Sequence, residues 1–174
     1  MDLPERTSLV AQLRASRDTL LDAVAGVSDT QAKFKPAPDV WSIEDVVEHV
    51  AVAEHGMFRL ITAHYEPLEV AAERTREEMF AEQGRDRTNK LQAPERARPK
   101  GRYGSLSNAL EQFRQNRERT ISYIAECQDD LRMRATEHLL GRISCQECLA
   151  ILIAHPTRHA GQIREIKQKA GYPA

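Results

Sequence analysis

Two of the chain's six histidines, His155 and His159, stand four residues apart. On a helix that spacing puts both imidazoles on one face, within reach of a single ion, as in HxxxH sites for zinc and similar divalent metals. The same stripe, in steps of three and four, reads Cys148, Leu152, His155, His159, Gln162 and Ile166. Polar side chains therefore occupy positions that should face a core. A lone HxxxH is most often a pair of hydrogen-bonded histidines, so a third ligand decides its meaning. His49 is available: it follows Val46 by three residues, precedes Ala53 by four, and borders the apolar face of another helical segment. It lies about 10 Å from the start of that segment, and His159 about 15 Å from the end of its own, so in antiparallel helices the depths nearly match. His55 and His64 lie off that face or near the helix end, and His138 falls in an irregular stretch, which makes each a poor ligand. Three imidazoles without a carboxylate or thiolate at the same depth leave coordination positions open, as catalytic sites do. Gln162, one turn past His159, is placed to line such a site or order a ligand. Pro156 lacks the N–H that would bond the carbonyl of Leu152 and predicts a kink or bulge between the two histidines.

The sequence holds a second motif, Cys145-Gln146-Glu147-Cys148. A CxxC at a helix start can lower a thiol pKa, but redox motifs of this kind follow a strand of an α/β fold, and none is evident here. With Cys127 the only other cysteine, a four-cysteine zinc site is impossible within one chain, and buried, inert thiols are expected.

The elements that must position these residues read as helices, since apolar residues recur at helical spacing and sustained alternation of β-branched residues is absent. A first helix begins near Thr7 or Ser8 and carries Leu9, Leu13, Leu20, Val24 and Val27 on one stripe. Ser42 with Asp45 forms a capping box that opens a second helix from about Ile43 to His64, with Ile43, Val46, Val50, Ala53, Met57 and Leu60 inward. Trp41, just before that cap, reads as a packing staple. Residues 68–83 suggest a short surface helix within a crossover. Residues 84–102, with seven Lys or Arg against two acids, suggest a solvated loop, a contact for an anion or acidic partner being the alternative. A third helix starts near Ser105 with Leu106, Leu110, Phe113, Ile121 and Ile124 inward. After an irregular link, Ser144 and Glu147 form another capping box and open a fourth, running to Lys169. The expectation is an all-α four-helix bundle without a β-sheet, a single domain over residues 1–174, with a crossover over 68–104 that makes the second and third helices parallel.

Composition sets limits. With 25 Lys and Arg against 26 Asp and Glu, the chain is neither a charge-expanded disordered protein nor a globally basic nucleic-acid binder, and its basic loop lacks interleaved aromatics. The longest apolar run, Leu149 to Ala154, is far short of a membrane span. A cytoplasmic protein with no membrane or nucleic-acid partner is expected. Val10, Leu21, Val47 and Val52 widen the apolar faces beyond a four-helix seam, which a symmetric homodimer would bury.

The stretch from Val40 to Val50, VWSIEDVVEHV, taken with HPTRHAGQI from His155 to Ile163, resembles the DinB/YfiT-like superfamily. Its members share a Trp-Ser pair leading into the second helix, a histidine about eight residues on, and a late H-x-x-x-H-x-G-Q element. The resemblance spans nearly the whole chain in helix order. It implies a four-helix bundle with a long second crossover, often dimeric, and a divalent metal on His49, His155 and His159; nitrogen ligands suit nickel or zinc, and availability decides between them. It also implies a metal-dependent enzyme acting on a small-molecule substrate, either a low-molecular-weight-thiol S-transferase or a hydrolase. A non-catalytic bundle that binds a metal or small molecule is the alternative.

Overall fold

A computed structural model describes residues 1–88 and 92–174; residues 89–91, part of the basic loop read from the sequence, lie outside the described residues. Four long helices carry the architecture: α1 (Leu3–Val24), α3 (Ile43–Thr62), α5 (Leu106–Glu126) and α6 (Cys145–Lys167), with short α2 (Asp29–Lys33) and α4 (Thr75–Arg85) between them. Both capping boxes form. Ser42 accepts from the N–H of Asp45 and its own N–H donates to the Asp45 carboxylate, and Ser144 and Glu147 repeat the pattern. A third box, Ser28 with Gln31, opens α2 within what the sequence suggests is a connection. α1 begins earlier than Thr7 because Asp2 caps it by accepting from the N–H of Glu5.

Cross-helix bonds establish the directions. Asn116 donates to the carbonyl of Ala51, Arg117 to Glu54, and Phe58 meets Tyr123 edge-on, so positions rise together and α3 runs parallel to α5. α1 opposes α5, with Met1 at Gln128 and Leu13 at Arg117. α6 opposes α3, with Cys145 at Leu60 and His155 at His49. The result is a four-helix bundle in which the long crossover permits a parallel second and third member.

The core divides along the bundle. One apolar cluster surrounds Leu13, Ile61, Ile124 and Leu149, and the other Leu20, Val46, Phe113 and Ile163. Between them lies a polar layer in which Arg117, fully buried, makes a bidentate pair with buried Glu54 and also donates to Ser16 and the carbonyls of Leu13 and Leu152. At the same height on α6, between Leu152 and Ala160, stand His155 and His159.

Three expectations need correction. A small antiparallel sheet is present: β1 (Glu66–Pro67), β2 (Arg134–His138) and β3 (Gly141–Ser144), in that order, with His138 opposite Gly141. Backbone hydrogen bonding between two short strands, closed by a turn at which Gly141 takes φ +98°, builds it without a visible alternation. The crossover helix is more than surface: Phe80 is buried, and Gly84 sits so close to α6 that a Cβ would come to 2.9 Å from that of Ala154. α6 runs from Cys145 to Lys167 with Pro156 inside it. The apolar excess proposed for a dimer is also reduced, since Val47 is fully buried and Val10, Leu21 and Val52 are half-buried.

Candidate metal centre

α3 and α6 bring His49, His155 and His159 together. The Nε2 of His155 lies 3.3 Å from that of His49 and 3.1 Å from that of His159, and the ligating atoms of the three all fall within 4.8 Å of one another. Nitrogens sharing one tetrahedral ion at ordinary zinc–nitrogen bond lengths sit about 3.4 Å apart, so the spacing suits a common ion. The Pro156 helix keeps both rings on one face because α6 continues through it.

The outer nitrogens fix which atoms are free. His49 Nδ1–H donates to the carbonyl of Ala97 at 2.7 Å, and His159 Nδ1–H donates to Oε1 of Gln162 at 2.8 Å. With those protons placed on Nδ1, the Nε2 atoms of His49 and His159 carry lone pairs that point at His155. His155 can supply one Nε2 proton to the cluster, not two. Lone pairs converging on one point repel unless a cation shares them, which is the arrangement a metal site needs. The donor set fits a divalent ion.

Charge reinforces this. Burial holds the pKa of His49 below its ordinary value, against the opposing hydrogen bond to Ala97, and Arg158 lowers it further. Burial likewise drives His155 and His159 well below the usual imidazole range, with the neighbouring histidines and Arg158 adding to the effect. The rings stay neutral near pH 7, the state in which imidazole binds metal.

The cluster opens into a cavity of about 530 Å³. Its walls include Trp41, Ala53, Leu60 and Ile151, while His138 and Arg158 bring polar groups. Ala53 and Leu60 belong to the inward stripe of α3 and pack against the core, but remain half-buried because they also line the cavity. A mostly apolar hollow with a few convergent polar groups is the usual form of a small-molecule site.

A family model described as the DinB superfamily matches residues 12–163, most of the chain. The chain belongs to the DinB superfamily. Among curated relatives, this DinB-superfamily protein is 26% identical over 145 residues to the uncharacterized protein YuaE of Bacillus subtilis (strain 168), covering 83% of this chain and 88% of the relative. Its fold is similar to that of YfiT from Bacillus subtilis, with a TM-score of 0.62 at 16% identity, over 99% of this chain and 91% of that one. YfiT is described as a probable metal-dependent hydrolase with an unusual four-helix bundle topology.

Several groups at the site of this DinB-superfamily chain escape sequence reasoning. Ala97 acts through a backbone carbonyl, which leaves no mark on side-chain patterns. Trp41 is more than a staple, with its ring 4.9 Å from that of His49 and exposed to the cavity. His138, Arg158 and the exposed His55 and His64 line the hollow apart from the three-histidine cluster. The CxxC thiols are buried and free, Cys145 pushed up to about 11 by burial and Cys148 higher still, so neither is poised as a thiolate. Among the described residues no helix is long and apolar enough to cross a membrane.

Proposed function

We propose that this chain is a metal-dependent enzyme acting on a small molecule, with nickel or zinc held by His49, His155 and His159 and with water or a low-molecular-weight thiol as the nucleophile. The observation that carries the reading is the convergence of imidazole Nε2 lone pairs at the wall of a cavity large enough for a substrate. A divalent ion at that point supplies Lewis acidity and makes water or a thiol nucleophilic at neutral pH. The chain does the rest. Ala97 and Gln162 hold two ligand rings in one tautomer, and three neutral ligands leave the positive charge of the ion undiminished. Arg158 adds positive potential beside it, favouring an anionic nucleophile. Trp41, Leu60 and Ile151 offer an apolar surface to the body of the substrate and exclude water from around it. His138 accepts from the N–H of Leu140 through Nδ1, so its proton sits on Nε2, where the neutral ring can donate a hydrogen bond to a substrate acceptor.

The description of YfiT supports water as the nucleophile and hydrolysis as the reaction. The thiol reading rests on the family resemblance. Incubating the metal-loaded protein with a panel of activated esters and amides, and separately with low-molecular-weight thiols plus a model electrophile, separates the two. Turnover that chelation abolishes supports the enzyme. Quenching of Trp41, the sole tryptophan, by ligands without turnover points instead to a non-catalytic binding protein, and neither response refutes both.

A further inference from the structure

The crossover segment after Pro94 looks from its composition like a solvated basic loop, yet it is pinned to α3 by one buried carboxylate. Glu48 is only 3% exposed, and every oxygen of its carboxylate is used. Oε1 accepts from the backbone N–H of Lys100 at 2.7 Å and from Nη1 of Arg102 at 2.6 Å, and Oε2 accepts from the backbone N–H of Arg102 at 2.9 Å. Gly101, at φ +71°, is what lets two N–H groups two residues apart aim at one carboxylate. The Arg102 guanidinium then turns back to the carbonyls of Arg98 and Arg96, closing the segment on itself. Between those two carbonyls lies Ala97, whose own carbonyl receives the Nδ1 proton of His49.

We propose that Glu48 is a positioning residue for the three-histidine centre: by gripping residues 100–102 it holds the Ala97 carbonyl against His49 and so keeps the His49 Nε2 lone pair directed at His155 and His159. The adjacency in sequence is functional, with His49 as ligand and Glu48 fixing the loop that orients it. A metal ligand whose outer nitrogen loses its partner can rotate or change tautomer, and removing such partners weakens metal binding. The proposal rests on the metal-site reading above, but its geometric part concerns the metal-free chain as well.

The test uses the 174-residue chain with Glu48→Gln, which keeps the packing but places an amide donor against donors, and Glu48→Ala. Long-range proton–nitrogen correlation spectra of the metal-free protein report the His49 tautomer, and competition titration with Zn²⁺ alone reports affinity. The wild type is expected to show His49 protonated on Nδ1. Glu48→Gln is expected to show a mixture of tautomers and a Zn²⁺ Kd raised about 10- to 100-fold, with the helical spectrum retained. Asn116→Ala, which removes a buried bond to the Ala51 carbonyl on the same helix, serves as the structural control and should lower Tm without moving the tautomer. If Glu48→Ala fails to fold, Glu48→Gln decides. The proposal is overturned if Glu48→Gln leaves the His49 tautomer and the Kd within twofold of wild type, or if Asn116→Ala moves the tautomer as much. A wild type that binds no Zn²⁺ refutes the metal reading alone, since the tautomer in Glu48→Gln still supports or overturns the clamp.

Discussion

Arg117 donates through Nη2 to the carbonyl of Leu152, the acceptor that Pro156 leaves without a helical partner. A proline inside a helix ordinarily costs the i−4 hydrogen bond and bends the backbone. Here the orphaned carbonyl lies in the buried polar layer, and a guanidinium already paired with Glu54 reaches it across the bundle. The helix therefore stays continuous, and His155 and His159 keep their common face.

Because Arg117 is fully buried and Glu54 nearly so, removing either alone strands the other's charge. Arg117→Met should lower the urea unfolding free energy by about 3–5 kcal/mol. The Arg117→Met, Glu54→Met double variant should recover much of that loss, since no lone charge is left buried. Equal stabilities for the single variant and the wild type would remove Arg117 from this account.

Gln162 accepts the Nδ1 proton of His159 at 2.8 Å. Gln162→Leu removes that acceptor and should weaken Zn²⁺ binding by about 10- to 100-fold, while Gln162→Glu, which retains an acceptor at the same reach, should bind close to wild type. Isothermal titration gives both constants, and a Leu variant that binds as tightly as wild type would show that the tautomer is set elsewhere.

Burial, assisted by Arg96, pushes the pKa of His138 down to about 4 from its ordinary 6.5. Between those values the unfolded chain binds a proton that the folded chain refuses, so stability must fall as pH drops from about 6.5 to 4 and level off below. His138→Gln cannot titrate. Relative to wild type it should therefore gain stability across that window, by up to about 3 kcal/mol at its acid end, the free energy equivalent of the shift. Chemical denaturation at pH 7, 5.5 and 4.5 measures the difference, and one that is constant with pH would contradict it.

How much of this was legible in the sequence follows from where the information resides. The helices of the bundle are carried by side-chain periodicity and by the Ser42–Asp45 and Ser144–Glu147 boxes, which are local signals, and their parallel middle pair by the length of the crossover between them. The β2–β3 hairpin is not: Arg134–His138 shows no alternation, and its turn at Leu139 and Leu140 lacks the usual asparagine or aspartate before Gly141. Arg117 was hidden because it occupies the stripe between Phe113 and Ile121, where the apolar pattern reads through it. The histidine cluster was readable as a pattern of residue types at matching depths. The groups that orient it divide: Gln162 lies one turn along the same stripe, whereas Ala97 contributes a backbone atom from a loop whose charge suggests solvent.

The central claim is that His49, His155 and His159 together hold one divalent ion. Elemental analysis after reconstitution with Zn²⁺ or Ni²⁺ and removal of excess, run on the wild type and on a His155→Ala, His159→Ala double variant, tests it most directly. The account predicts about one ion per chain in the wild type and loss of that ion in the double variant, where only one imidazole of the cluster remains. Occupancy far below one in the wild type, or unchanged in the double variant, would contradict it.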